Sequence, residues 1–336
     1  MNKVTIKEVA KKAKVSIGTV SRVFNNYPDI SAATRKRIMK IAHEIGYSPN
    51  IAAKTLSSKN QKRIALIINN LTYEPKYTFP MSVLNGVLDY TDSQKLEFVF
   101  YAITSQKQSQ KSYEQFCNEH DITGVIIEGL NEDDPYYAMI KTTTIPTVLI
   151  DMHVANPRVG SVTIDNVAAA QDAVELLLKK GYRNIDFING KPNATVSQER
   201  ERGYRKAISK AGFAVDKSRI QYAAYNEKSA DLMATQALKA DPNIDSFFCA
   251  SDLMALGVMK AIKSSGKRIP ADIGVLGFDD LELDKYVTPA LSTVQQKPYE
   301  FGHEAGKLIQ RLIEHDTPKT PIVRYVPYKL IERESI

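Results

Sequence analysis

Cysteine is scarce in this chain of 336 residues, with Cys117 and Cys249 the two present. They stand far apart, one in a stretch of helical spacing and one in a strand-like run, so neither a disulfide framework nor a cysteine-based metal site is expected. Buried, reduced thiols are expected instead, as in a reducing cytoplasm. The five histidines are scattered and show no metal-ligand spacing. Long apolar runs are missing too: nothing reaches the span of a membrane helix, and the opening MNKVTIKEVAKKAKV carries Lys every few residues without a signal-type apolar stretch. There is no G-x-x-x-x-G-K-[ST] loop and no nucleophile elbow, and Gly190-Lys191 is a loop dipeptide. The chain therefore reads as cytoplasmic, with no catalytic residues, cofactor or metal to assign. Its length suits two or three domains with a substantial core.

Negative charge is scarce in one region only. Residues 1–63 hold 14 Lys and Arg against Glu8, Asp29 and Glu44, a net of +11, which leaves about −4 for the rest of a chain whose total is +7. A basic arm on an acidic body is the electrostatic footprint of a nucleic-acid-binding segment, though an anionic membrane or a solvated tail would show the same count. Pattern decides between them. Thr5-Ile6-Lys7-Glu8 is a capping box, and Ile6, Val9, Ala10 and Ala13 follow at helical spacing, so the spacing predicts a helix over 6–13. Ser16 is the next N-cap, with Val15 and Val20 placed as a hydrophobic staple. From there Val20, Val23 and Phe24 face inward and Ile17, Gly18, Ser21 and Arg22 outward. Two short helices around so tight a turn are a helix-turn-helix, whose second helix enters a major groove. A third helix follows Ser31 with Ile38, Ile41, Ala42 and Ile45 on one face and Gly46 as its stop.

TIKEVAKKAKVSIGTVSRVFNN, followed by SAATRKRIMKIAHEIGYSPNIAAKTL, closely resembles the headpiece and hinge of the LacI/GalR family of bacterial transcriptional regulators. The family's hallmark is T-[IL]-x-[DE]-V-A-x-x-A-x-V-S-x-x-T-V-S-R-x-[LFV]-N. The resemblance implies that Ile17, Gly18 and Arg22 read bases, while Thr5, Ser16, Thr19, Ser21, Asn25, Ser31 and Thr34 contact phosphate or cap helices. Gly18 has no side chain where many relatives carry a polar or small reading residue, so its readout rests on close backbone approach. The family's hinge falls at 48–63, where Asn50, Ala53 and Lys54 are expected on DNA and Leu56 is expected to wedge into a central minor-groove step. Lys54 replaces an Arg common in relatives, keeping the charge but losing the planar fork.

From Ile64 onward, short apolar runs such as IALIIN, LEFVFYAI and GVIIEG alternate with amphipathic stretches, and a second such series follows Asp165. Alternation of this kind means parallel sheets covered by helices, here in two similar halves. The resemblance extends to a periplasmic-binding-protein-like core of two doubly wound parallel-sheet subdomains, so the fold expected is an all-α helix-turn-helix headpiece with a hinge helix, then this α/β core. The boundaries expected are 1–47 for the headpiece, 48–63 for the hinge and 64–336 for the core. Its N-subdomain would take about 64–164 plus 296–322, and its C-subdomain 165–295 plus 323–336.

Ligands of open parallel sheets bind beyond the carboxyl ends of the strands. Those ends offer Asn69, Asn70, Glu128, Asp151, Asn189, Ser251, Asp252 and Asp279. The effector contacts expected are Asn69, Asn70, Asp151, Arg200, Ser251, Asp252 and Asp279. By the resemblance, Arg200 in R-x-x-G-Y and Asp279 in G-F-D-D are the foremost, Ser251 stands where many relatives have Asn, and Asp165 and Asn166 belong to the cleft edge. Carboxylates, amides and one Arg suit a polyhydroxyl ligand. The expected protein is a homodimeric repressor of carbohydrate-utilisation genes, bound to pseudo-palindromic double-stranded operator DNA and controlled by a small sugar or sugar phosphate. The alternatives are a purine- or nucleoside-responsive regulator and a global carbon-control regulator working with a phosphorylated carrier protein. A transport binding protein would share the core but needs no basic headpiece.

Overall fold

The computed structural model describes residues 4–24, 27–47, 62–71, 78–315 and 318–336. Two compact units divide the chain, residues 1–61 and 62–336.

The first unit contains α1 (Ile6–Ala13), α2 (Ile17–Phe24) and α3 (Ala32–Glu44). Each start is capped as the sequence pattern requires. The Thr5 amide donates to Glu8 Oε2 at 2.6 Å, the Thr19 amide to Ser16 Oγ at 3.0 Å and the Thr34 amide to Ser31 Oγ at 3.3 Å. Caps of this type are each worth about 1 kcal/mol. At the end of α3, Gly46 takes a φ of 67°, and the amides of Gly46 and Tyr47 return to the carbonyls of His43 and Ala42 at 3.1 and 2.8 Å. This is the paired C-terminal bonding that a left-handed residue permits. Val9, Val20, Val23 and Ile38 are buried at the centre, and Phe24 meets the Tyr47 ring edge-on at 5.4 Å. With so small a core, the caps are a large share of its stability.

The second unit is built on two six-stranded sheets. In the first half the chain forms β1 (Arg63–Asn69), α4 (Phe79–Ser93), β2 (Glu97–Ile103), α5 (Ser105–Gln108), α6 (Tyr113–Glu119), β3 (Gly124–Glu128), α7 (Pro135–Ile140), β4 (Thr147–Ile150) and β5 (Val159–Thr163). The second half has α8 (Asn166–Lys179), β6 (Ile185–Asn189), α9 (Thr195–Lys210), β7 (Ile220–Tyr222), α10 (Glu227–Ala240), β8 (Ser246–Cys249), α11 (Asp252–Ser264), β9 (Gly274–Asp279) and β10 (Ser292–Gln295). Last come α12 (Pro298–Glu314), β11 (Val323–Tyr325) and β12 (Lys329–Ile331). The strand orders are β11-β5-β4-β3-β1-β2 and β12-β10-β9-β8-β6-β7, parallel except where β12 runs against β10. Strands buried on both faces explain continuous apolar runs: in RIALIIN every residue after the first is buried.

The chain passes between the halves after β5, after β10 and again between β11 and β12. On its return, α12 lies against α4 so closely that a Cβ on Gly86 would meet the Tyr299 carbonyl oxygen at 2.0 Å, and one on Gly302 the Val83 carbonyl oxygen at 2.0 Å. The last boundary differs from the sequence expectation. Val323–Tyr325, expected in the second half, pairs with β5 in the first, with the amides of Ser161 and Val326 donating to Ile322 and Thr163 at 2.8 Å each. The open edge of β5 offers backbone groups that three extended residues satisfy, which nothing in the local sequence encodes.

Candidate functional site

On α2 the outward face is small. Ile17 is 45% exposed, Gly18 is exposed, and a Cβ added at Gly18 would meet only Ser16 Oγ, at 3.6 Å. The headpiece fold therefore does not require glycine there. Arg22 is the long cation of that face, and it is already held: Nη1 donates to Asp29 Oδ2 at 2.8 Å, and its guanidinium lies 5.9 Å from the Tyr27 ring centre. Both partners of the ion pair are half-exposed, at 58% and 50%, so water and salt screen it and the pair is weak. Arg35 fixes the segment that carries them, donating to the carbonyls of Val23 and Tyr27 at 2.9 and 2.7 Å. Asp29 was not singled out in the sequence, because a lone acid in a loop gives no signal until the fold sets it against Arg22. The hydroxyls divide by context. Thr5 Oγ1 donates to Glu8 at 3.1 Å, and Ser16 and Ser31 share bonds with Thr19 and Thr34 at 2.9 Å each, so these three pairs of groups act first in capping. Asn25, Asn50, Ala53, Lys54 and Leu56 lie outside the described residues.

In the core unit a cleft opens where the carboxyl ends of the two sheets face each other. It has an inner chamber of about 240 Å³, walled by Phe79, Arg200, Ser251, Asp279 and Gln296, and an outer one of about 450 Å³, walled by Asn69, Asn70, Asn131, Lys191 and Thr195. Pro80, Glu128, Asp151, Val196 and Tyr225 border both. Several of the strand-end residues hold left-handed backbones: φ is 50° at Asn70, 57° at Asp151, 133° at Asp279 and 62° at Asp280. Non-glycine residues hold such conformations at a cost of about 1–3 kcal/mol each, which the surrounding network must offset.

Arg200, on α9, is 3% exposed. Its Nε donates to Asn166 Oδ1 at 2.9 Å, its Nη1 to the Ala250 carbonyl at 2.6 Å, and its guanidinium stacks 3.7 Å from the centre of the Phe278 ring. Asn166 in turn donates to Thr163 Oγ1 at 3.2 Å, and Thr163 to Asp151 Oδ1 at 2.7 Å. Thus a chain of bonds runs from a first-half carboxylate through the crossover to a second-half guanidinium. Asp165, exposed beside it, caps α8 through the Ala168 amide at 2.9 Å. Burial raises the cleft carboxyls. Glu128 is pushed up to about 8 by burial and then by the Asp151 charge. Asp279 rises to about 7 by burial and the charge of Asp252, and Asp151 to about 6 by burial, held back by Thr163 and Arg200. Three acids side by side in a dehydrated cleft resist ionising together.

Other expected contacts have different tasks. Asp252 is fully buried and borders neither chamber: Oδ1 accepts from Thr293 Oγ1 at 2.6 Å and Oδ2 from the Leu281 amide at 3.1 Å, so it ties α11 to β10 and the loop after β9. Its carboxylate is thus committed within the protein. Asn69 walls the outer chamber, but its amide is spent on Asp134 Oδ2 (2.6 Å), the Gly129 carbonyl (3.2 Å) and Gln108 Nε2 (2.7 Å). Asn70 pairs reciprocally with the Ser105 hydroxyl and amide, at 2.8 and 3.2 Å. Ser251 caps α11 through the Met254 amide at 3.3 Å while bordering the inner chamber. Unanticipated neighbours are Phe79, Tyr225 and Gln296. Tyr225 reaches the cleft because Gly190 leaves it room, since a Cβ there would fall 2.1 Å from its ring. Gln296, in a connecting stretch without periodicity, donates from Nε2 to Asp279 Oδ1 at 2.7 Å.

The model of bacterial regulatory proteins of the lacI family matches residues 5–50, and that of the periplasmic binding protein-like domain matches 174–336. Over 337 aligned residues the chain is 31% identical to the HTH-type transcriptional regulator CelR of Thermobifida fusca, covering 98% of each. The chain belongs to the lacI family of bacterial regulatory proteins. A lacI-family regulator binds DNA through its headpiece and answers to a ligand in its core. Among solved structures, the chain resembles a CelR–cellobiose complex at 28% identity, with a TM-score of 0.75 and coverage of 99% and 100%. It shares its fold with a lac repressor dimer bound to operator and the anti-inducer ONPF, at 23% identity, a TM-score of 0.87 and 99% coverage of both. Among the described residues no helix is long and apolar enough to cross a membrane.

Proposed function

We propose that this lacI-family regulator is a homodimeric repressor of carbohydrate-utilisation genes whose affinity for a pseudo-palindromic operator is set by a sugar in the cleft. One observation carries the reading: Arg200, Asp151 and Asp279 border one cavity whose walls come from both sheets, and hydrogen bonds join Asp151 to Arg200 across the crossover. A ligand touching both halves binds one of their arrangements more tightly than the other and so shifts the population between them. The similar CelR structure carries cellobiose. The headpiece comprises 1–47, residues 48–63 are the hinge, and Leu56 is its minor-groove wedge. Arg22 reads a guanine and Ile17 an apolar base edge, and the chemistry is recognition, with no reaction catalysed.

The experiment is operator binding by fluorescence anisotropy, using a duplex selected from randomised half-sites, with and without members of a sugar panel. At least one sugar should change the affinity tenfold or more. Arg200→Ala should bind the same duplex and lose that response, because removing one partner from a buried charged contact costs about 2–5 kcal/mol. A wild-type affinity indifferent to every sugar, with no sugar shifting the melting temperature, would overturn the effector assignment.

A further inference from the structure

The inner chamber, about 240 Å³, is smaller than the roughly 300–1,000 Å³ usual for a small-molecule site, whereas inner and outer chambers together fall within that range. They adjoin at a waist formed by Glu128, Asp151, Val196 and Tyr225. A ligand that fills the cleft is therefore bipartite, with its junction at the waist.

The polar groups fix the chemistry of that ligand. Gln296 is 6% exposed and borders the inner chamber, yet its Oε1 has no hydrogen-bond partner among the described residues. Because its Nε2 is held by Asp279, the orphaned oxygen is a free acceptor. Glu128, Asp151 and Asp279 add further acceptor oxygens. Against them stands Arg200, whose Nε and Nη1 already donate within the protein, while Lys191 is exposed at the outer chamber. A phosphate or carboxylate in the inner chamber would stand against the Asp151 carboxylate and a partly ionised Asp279, with one partly committed cation to offset them. Hydroxyls, by contrast, donate to all these acceptors without adding charge. Phe79, Pro80, Val196, Tyr225 and Leu253 supply apolar wall for the C–H faces of sugar rings.

We propose that the cleft takes an uncharged two-ring carbohydrate, one ring in each chamber and the glycosidic link beside Glu128 and Asp151, and that it rejects sugar phosphates. This rests on the sugar-effector reading above and narrows it. Glu128 and Gln296 then become specificity-determining residues, the first at the junction and the second at the inner ring.

The test is calorimetry and thermal shift on the full chain with cellobiose, maltose, lactose, sucrose, trehalose and melibiose, alongside glucose, galactose, fructose and glucose 6-phosphate. At least one disaccharide should bind at least 30-fold more tightly than each of its component monosaccharides, and glucose 6-phosphate should not bind. Thr195→Phe, which fills the outer chamber, should remove that advantage, and Lys191→Ala, an exposed change that cannot disturb the core, should reduce it several-fold. Gln296→Leu should weaken disaccharide and monosaccharide alike. Equal affinity for a disaccharide and its component monosaccharide, unaltered by both outer-chamber variants, would overturn the two-ring inference and leave the sugar reading standing. Preferential binding of glucose 6-phosphate would overturn the charge argument. Binding of no sugar at all would overturn both.

Discussion

The reading face of α2 and the ligand cleft are both recognition surfaces, but they are assembled in opposite ways. Ile17, Gly18, Ser21 and Arg22 fall within one turn and a half of a single helix, exposed except for the half-buried Ser21, and depend on a core of a few aliphatic side chains. Cleft residues arrive from strand ends and helix starts as far apart as Phe79 and Gln296, and their polar groups are largely dehydrated. The exposed face keeps ordinary electrostatics, where charges are screened and pairs such as Arg22–Asp29 exchange partners at little cost. Inside the cleft the same residue types are poised: acids are displaced toward neutrality, and Arg200 is clamped by bonds and by the Phe278 ring. One surface is tuned by composition, the other by burial.

The sharpest way to break this comparison is at Arg22. If the exposed face reads DNA directly, Arg22→Ala costs about 1–3 kcal/mol in operator binding and relaxes preference at one base pair per half-site. Asp29→Asn should raise affinity for every duplex several-fold and narrow the gap between operator and random DNA, since it removes a negative charge near phosphate and frees the arginine. Selection on randomised half-sites measures both, and an unaltered preferred sequence with Arg22→Ala would assign base reading elsewhere.

A smaller effect separates function from folding at Gly18. Because a Cβ there makes only an ordinary contact with Ser16 Oγ, Gly18→Ala should stabilise the headpiece by about 1 kcal/mol, a rise of about 4–8 °C in a unit of this size, while shifting base preference. Thermal unfolding of a headpiece variant alongside half-site selection checks it. Destabilisation would show that the glycine serves the fold.

The last effect probes the dehydrated surface. Glu128 has a folded pKa of about 8 against an unfolded value near 4.5, so the stability associated with its proton is fully present below the unfolded value and is lost as pH rises through about 8. Glu128→Gln cannot ionise. Its core should therefore melt clearly above wild type at pH 8.5 and nearly with it at pH 4. Equal melting temperatures at the higher pH would mean that water enters the cleft and hydrates the carboxylate.

The headpiece was legible in the sequence nearly to the residue. Thr5, Ser16, Ser31 and Gly46 are local signals, each satisfied by groups within five positions, so spacing alone encodes them. The alternation of strands and helices in the core was equally plain, since continuous apolar runs mark strands covered on both faces. Tertiary structure decided the rest. It joined Val323–Tyr325 to the first sheet because an open strand edge demanded partners, and it turned Asp252 inward because Thr293 and the Leu281 amide lay there to receive it. It also brought Gln296, from an unremarkable connecting stretch, beside Asp279 and left its Oε1 without a hydrogen-bond partner among the described residues. Helix caps and periodicity act over a few residues and are written along the chain, whereas dehydration and the choice of hydrogen-bond partner belong to surfaces that exist only when distant segments meet.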